Sequence, residues 1–127
     1  MGTHAMIGFY NQEDGSVEAS YVHYDGYVEG VGCALVNLYN TPELAKAVAS
    51  VGYLSSLEED LDTSIAASVH KNELAVPYES VEDFMKNGYD YCGAHYLYLF
   101  DGEVWFYAAR GVAGGRFEEI EMNLKAA

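Results

Sequence analysis

A histidine and an aspartate two residues apart are the pair in this sequence most suited to acid–base chemistry. His23 and Asp25 lie within residues 21–26, just before a glycine. An imidazole can act as a general base or as a ligand, and a neighbouring carboxylate can orient it. The alternative is that His23 is an ordinary strand residue and that Asp25 belongs to a turn. Both interpretations stay open, and both residues are candidate ligand-binding residues.

The chain has only two arginines, Arg110 and Arg116, against 20 acidic residues. A guanidinium is planar and permanently charged, so each arginine either pairs with local carboxylates or holds an anion. Aromatic side chains precede them in the sequence, with Tyr98 and Trp105 among them. Aromatic rings that stack on a base, together with an arginine on a phosphate, would form a nucleotide pocket. We therefore predict a ligand site made by these four residues near the histidine–aspartate pair.

Other classes of site are excluded by spacing. Gly30 and Gly32 precede a helix, but the sequence has neither the Lys-Ser/Thr ending of a phosphate loop nor a three-glycine dinucleotide fingerprint. No His-x-x-x-His, Cys-x-x-Cys or calcium-loop spacing indicates a metal. Cys92 and His95 begin a strand that we expect to be covered, which favours packing over a reactive thiolate. We predict no catalytic residue, no metal and no cofactor, and a protein that is not an enzyme.

The net charge of −14 restricts the partners. It repels nucleic-acid backbone and anionic membranes, so we expect direct binding to neither. One interpretation is a surface whose charge serves only to keep the protein dissolved. The other is a surface that imitates nucleic-acid phosphates, with the acidic run 58–62 as a natural part of it.

Periodicity predicts two β-hairpins. Residues 6–24 alternate in hydropathy around an Asp14-Gly15 turn. Residues 91–109 contain two apolar strands around Asp101-Gly102, and because both faces are apolar we expect them to be central and covered. Residues 117–124 alternate like a final strand.

Helical signals occupy the middle of the chain. Residues 28–39 have apolar positions at helical spacing, and Thr41 is a candidate N-cap before a second helix. Ser80 begins a capping box and a short third helix. Residues 64–70 and 73–77 are predicted as short strands, with a proline that makes the second an edge strand or a strand end.

The expected fold is α+β, with an antiparallel sheet of about four to six strands built from two β-hairpins and a helical hairpin packed on one face. A single domain over residues 6–127 is expected, and Met1-Gly2-Thr3-His4-Ala5 is interpreted as an expression-tag remnant. Cys33 and Cys92 are expected to be reduced, because no secretory signal precedes them. No apolar run has the length of a membrane span.

Residues 21–32, Tyr-Val-His-Tyr-Asp-Gly-Tyr-Val-Glu-Gly-Val-Gly, resemble a motif of small accessory proteins encoded by phages and prophages. In that family the motif is roughly Tyr-Cys-His-Trp-Asp-Gly-Tyr-Pro-x-x-x-Gly. It is followed there by a helix and by a second helix start similar to Tyr-Asn-Thr-Pro-Glu at residues 39–43. The aromatic segment 96–105 resembles the family's closing hairpin. The chain departs from the motif at Val22, Tyr24 and Val28.

The resemblance implies a phage origin, a location in the host cytoplasm and a role against host processes or host immunity. Phage proteins of this size include Thoeris anti-defence proteins, which sequester cyclic ADP-ribose-type signals, and anti-restriction proteins, which mimic DNA. We predict a non-enzymatic, homo-oligomeric accessory protein that binds and sequesters a small anionic nucleotide-like signal. The alternative is an acidic nucleic-acid mimic that inhibits a host DNA- or RNA-handling protein.

Overall fold

A computed structural model describes residues 3–68, 74–90, 93–110 and 117–120 of the chain. Seven strands in this part of the chain form one sheet. They are β1 (Ala5–Tyr10), β2 (Val17–Val22), β3 (Tyr53–Leu54), β4 (Val76–Tyr78), β5 (Tyr96–Phe100), β6 (Trp105–Ala109) and β7 (Glu118–Glu119).

The sheet is mixed, with the strand order β3-β2-β1-β5-β6-β7. β1 pairs antiparallel with β2, with Ala5 opposite Val22, and parallel with β5, with Ala5 opposite Tyr96. β3 and β4 both pair with β2, beside different parts of that strand. The prediction of a purely antiparallel sheet of four to six strands is therefore wrong. The two predicted hairpins exist, but they join side by side through a parallel contact that requires a long crossover.

Four α-helices lie within the described ranges, and the first of them directly follows a π-helical turn at Val28–Gly32. They are α1 (Cys33–Leu38), α2 (Pro42–Ala49), α3 (Leu61–Ala67) and α4 (Val81–Asn87), and a 3₁₀ turn at Gly88–Asp90 follows the last helix.

Both faces of the sheet are covered, and each carries its own apolar core. On one face, Leu35 of α1 and Val48 of α2 pack with Ile7 and with residues of β5 and β6. On the other face, Phe84 of α4 packs with Met6 and with residues of β2 and β5. Strand alternation explains the division, because successive side chains of β1 point to opposite faces. The helical pair on one face was predicted; the helix on the opposite face makes β5 a fully covered central strand.

Helix α3 replaces the strand that was predicted at residues 64–70. The side chain of Asp60 accepts a hydrogen bond from the backbone N–H of Thr63 at 2.7 Å, which caps the helix. The buried positions on the inner side are Ser64 and Ser68 rather than apolar residues. The Ser64 hydroxyl donates to the Asp60 carbonyl and accepts from Glu58 N–H. The helical period was hidden in the sequence because polar side chains occupy the buried face.

The other local signals are confirmed where the structure describes them. The hydroxyls of Thr41 and Ser80 each accept from the backbone N–H three residues later, as N-caps do. Pro77 lies in β4, on the outer side of β2. Of the final strand predicted at 117–124, β7 is seen, and residues 121–124 lie outside the described residues.

The first described residues are part of the sheet. Ala5 is fully buried, the Thr3 carbonyl accepts from Gly26 N–H at 2.7 Å, and the His4 carbonyl accepts from His95 N–H at 2.8 Å. Thr3 and His4 must therefore enter any argument about function, whatever their origin. No helix in the described ranges is long and apolar enough to cross a bilayer.

Candidate functional site

An open cavity of about 300 Å³ lies at the end of the sheet where β5 begins and β6 ends. It is lined by Thr3, Tyr27, His95, Tyr96, Ala109 and Arg110. The sheet register explains the assembly, because Tyr96 lies opposite Ala109 on the neighbouring strand. At this end of the sheet, the first residue of β5 is Tyr96 and the residue that follows β6 is Arg110, and both line the cavity. An arginine, a histidine, two tyrosines and a threonine border this opening at the end of the sheet.

Arg110 lies at the mouth of this cavity with its side chain exposed. Its backbone N–H donates to the His95 carbonyl at 2.8 Å, which fixes the residue at the end of the hairpin. Within the described ranges its guanidinium makes no ion pair with a carboxylate. Burial raises the pKa of the nearby Tyr89 hydroxyl, and the Arg110 charge opposes that rise. No carboxylate of the described residues therefore competes with an anion for the charge of Arg110.

Tyr27 is carried to the cavity by a tight turn between β2 and α1. Asp25 adopts the left-handed conformation with φ = 60°, which aspartate tolerates better than most residues. Its carbonyl accepts from Val31 N–H at 2.9 Å and closes the turn. The turn leaves no room for a side chain at Gly30, since a Cβ there would overlap the Asp25 carbonyl oxygen. Gly30 is thus needed for close backbone packing in this turn.

The Tyr27 hydroxyl donates to the Asp25 carboxylate at 3.3 Å. The negative charge of Asp25 raises the pKa of Tyr27, so the phenol stays neutral under ordinary conditions. A neutral phenol presents an aromatic face that can stack on a ring and a hydroxyl that can bond to a ligand. Asp25, which we predicted as a ligand-binding residue, supports Tyr27 in this arrangement.

His23 lies beside the cavity in a cluster of histidines. Its ring stacks on His4 with centroids 4.5 Å apart, and His4 lies 5.9 Å from His95. The Tyr21 hydroxyl and His23 Nδ1 are 3.0 Å apart. His4 Nδ1 donates to the His23 carbonyl at 2.7 Å. His23 is thus connected to the Arg110 cavity through two other imidazoles.

Tyr98 and Trp105, which we predicted to stack on a ligand, lie in the core. Tyr98 is completely buried, and its hydroxyl donates to the Gly26 carbonyl at 2.6 Å. Trp105 is 2% exposed, and its indole N–H donates to the Tyr39 carbonyl at 2.9 Å. Their polar atoms are used to join the sheet to the segments that cross it. Tyr27 and Tyr96 occupy the aromatic positions of the cavity instead.

We predict that Tyr98→Phe destabilises the protein without removing ligand binding. The substitution leaves the Gly26 carbonyl without its buried donor, and such a loss costs about 1–3 kcal/mol of unfolding free energy. Urea denaturation followed by circular dichroism measures this cost. If the Tyr98→Phe protein were as stable as the wild type but no longer bound the ligand, Tyr98 would have to be a ligand-binding residue.

Three further predicted or considered residues are placed as follows. Arg116 and Cys92 lie outside the described residues. Cys33 is a half-buried cysteine at the start of α1, and burial raises its pKa. This is the opposite of the shift that activates a thiolate. The described ranges contain no group of three His, Cys, Asp or Glu side chains arranged to hold a metal.

Some residues of the acidic run 58–62 have a structural role. The Asp60 carboxylate caps α3, and the hydrogen bond from Thr63 N–H lowers its pKa. The Tyr39 hydroxyl donates to the Glu58 carbonyl, which joins the run to α1 and its following residue. At least one carboxylate of the run is therefore explained by helix formation.

Sequence reasoning identified Arg110 and the neighbourhood of His23, but it missed Thr3, His4 and His95 as members of one cluster. Thr3 and His4 lie far from His95 in the chain and meet it through the parallel pairing of β1 with β5. The sequence pattern carried no signal for this cluster, because His23 and His95 were predicted to lie within strands and His4 was interpreted as part of a tag remnant. Searches against family models, curated proteins and solved structures find no match to this chain. The resemblance to phage accessory proteins stays a prediction.

Proposed function

We propose that this chain is a non-enzymatic binding protein that captures a small anionic, nucleotide-like ligand in the Arg110 cavity. The observation that carries this proposal is the exposed guanidinium of Arg110. Within the described residues it has no carboxylate partner, and it lines an open cavity beside two tyrosines. In a chain of net charge −14, an arginine that has no paired carboxylate among the described residues is a specific feature.

The chemistry of the lining supports a ligand with a flat ring and a negatively charged group. An arginine can donate two parallel hydrogen bonds to a phosphate or carboxylate. Tyr27 and Tyr96 can contact a ring, and the volume of about 300 Å³ is at the lower end of small-molecule sites. The acidic character of the remaining surface disfavours long nucleic acids but not a small anion that reaches one basic opening.

The biological setting that we propose rests on the resemblance of residues 21–32 to phage accessory proteins. In that setting the protein acts in the host cytoplasm and counters a defence or another host process by sequestering a nucleotide-like signal. Exposed aromatic residues, Tyr24 and Tyr27 among them, are compatible with a homo-oligomer. Neither a membrane nor nucleic acid is a partner in this proposal.

Arg110→Gln is expected to weaken ligand binding by at least about tenfold, because a hydrogen bond to a charged group contributes about 1.5–3 kcal/mol. The ligand is first found by thermal shift with a panel of mononucleotides, cyclic nucleotides and dinucleotides. The affinity of the best ligand is then measured by calorimetry for the wild type and the variant.

Lys86→Gln is the matched control, since Lys86 is an exposed cation on α4 that does not line the cavity. It removes the same charge and should leave the affinity unchanged. Absence of a thermal shift with every nucleotide of the panel would contradict the proposed function. Equal losses of affinity in the two variants would show that only the overall charge matters.

A further inference from the structure

Four basic side chains lie in one row across the end of the sheet. His4 precedes β1, His95 precedes β5, and the parallel register places them side by side. The antiparallel register of β1 with β2 places His23 on the other side of His4. Arg110 follows β6 and continues the row beyond His95. We call these four residues, in the order His23, His4, His95 and Arg110, the basic row.

The ring distances show that the three histidines of the row are contiguous. The His23 and His4 rings are stacked at 4.5 Å, and the His4 and His95 rings are 5.9 Å apart. Both values are close to the separation of about 4.8 Å between neighbouring strands. The row from His23 to Arg110 therefore extends over three strand spacings, or about 14 Å.

The row concentrates much of the chain's basic chemistry in one place. The protein has six Lys and Arg residues and four histidines in total, and one arginine and three histidines belong to the row. His95 is shared, since it lines the Arg110 cavity and also lies beside His4. An anion bound at Arg110 would thus lie at one end of a line of imidazoles that further parts of the ligand could contact.

The orientation of His4 is fixed by its contacts. Its Nδ1 donates to the His23 carbonyl, so its remaining polar atom is Nε2. Contact between His4 and a bound anion would therefore be made through Nε2. His95 is exposed, and His4 and His23 are half-buried, so ligand atoms can approach the row from solvent.

We infer that the basic row binds a second negatively charged group of the same ligand, so that the preferred ligand class is an oligophosphate rather than a monophosphate. This inference rests on the proposed function of the Arg110 cavity and specifies its ligand. The first phosphate contacts Arg110 and His95, and the next phosphate lies over His4 and His23. A nucleoside diphosphate or a dinucleotide with a diphosphate bridge has this arrangement of charges.

The test compares AMP, ADP and inorganic tripolyphosphate by calorimetry at one pH and salt concentration. ADP is expected to bind at least about tenfold more tightly than AMP, which corresponds to one added charge-assisted hydrogen bond. Tripolyphosphate, which has no ring, is expected to bind measurably. In His4→Gln and His23→Gln, checked for folding by circular dichroism, the ratio of the AMP to the ADP dissociation constant should fall toward one.

Histidine Cε1–H signals in NMR provide a readout that does not depend on substitutions. Tripolyphosphate should shift the signals of His4, His23 and His95, whereas AMP should shift mainly that of His95. Equal affinities for AMP and ADP, with unmoved His4 and His23 signals, would overturn the inference and leave the proposed function intact. Failure of AMP, ADP and tripolyphosphate alike to bind would also overturn the inference, whereas the proposed function is overturned only if the cyclic nucleotides and dinucleotides of the wider panel fail as well.

Discussion

Trp105→Ala is expected to lower the free energy of unfolding by about 3–5 kcal/mol, because large aromatic side chains in a core cost this much when truncated. Trp105 is 2% exposed and packs edge-to-face with Phe100 at a centroid distance of 5.2 Å. Its indole N–H also satisfies the Tyr39 carbonyl at the end of α1. Urea denaturation followed by far-ultraviolet circular dichroism measures the loss, since the substitution removes the only tryptophan.

Tyr27→Ala is the control for this experiment. Tyr27 is 39% exposed, and an exposed substitution usually changes stability by no more than about 0.5 kcal/mol. Its expected effect is on binding, because its ring lines the Arg110 cavity. The folded Trp105→Ala protein should be less stable but still bind the ligand. The Tyr27→Ala protein should keep its stability but bind the ligand more weakly. This pair of results would confirm that Trp105 belongs to the core and Tyr27 to the site. A Trp105→Ala protein as stable as the wild type would contradict the assignment of Trp105 to the core.

Gly30→Ala is expected to destabilise the protein by about 2–3 kcal/mol and to weaken ligand binding as well. An added Cβ would overlap the Asp25 carbonyl oxygen, which already accepts from Val31 N–H. The Asp25 carbonyl oxygen is part of the backbone of the turn, and the added Cβ is bonded directly to that backbone. Neither atom can therefore move without distorting the turn. Since this turn positions Tyr27, its distortion reaches the cavity.

Gly32→Ala is the matched control within the same turn. A Cβ at this position would approach side-chain atoms of Val28 at 3.2 Å and of Tyr98 at 3.4 Å. Side chains adjust more easily than backbone, so we expect a cost of about 1 kcal/mol or less. Chemical denaturation and calorimetry of both variants give the comparison. Similar stabilities for the two variants would show that the Asp25 turn is not the constraint.

The sequence was a good guide wherever a structure is determined by local chemistry. Thr41 and Ser80 cap helices as their positions predict, and the first hairpin pairs residues 5–10 with 17–22. These features depend on residues close together in the chain. Alternation, capping and turn chemistry therefore suffice to predict them.

The sequence was a poor guide to long-range pairing. The parallel contact between β1 and β5 joins residues about 90 positions apart, and neither strand contains a signal that selects the other. Helix α3 was missed for a different reason, since serines occupy its buried positions and their hydroxyls donate hydrogen bonds to backbone carbonyls. In both cases the element depends on contacts with residues outside its own segment, and these contacts leave no pattern in the segment's sequence.

The candidate site also contains residues that the sequence could indicate and residues that only the long-range pairing brings together. Arg110 was identified by its rarity, which is a property of composition, and the structure places it at an open cavity. Tyr98 and Trp105 were chosen because aromatics alternate along the hairpin. Because both faces of that hairpin are apolar, the sequence also predicted it to be covered, and both rings do lie in the core under the helices. The histidine cluster depends entirely on strand register and could not be assembled from the sequence.

The most direct test of the account is whether the Arg110 guanidinium contacts a nucleotide. With only two arginines in the chain, the Nε–Hε region of a ¹⁵N NMR spectrum contains two arginine signals, and Arg116→Lys assigns them. Titration with ADP is predicted to shift the Arg110 signal saturably, together with the backbone N–H of Tyr27. An Arg110 signal that stays unmoved at saturating ADP would contradict the account.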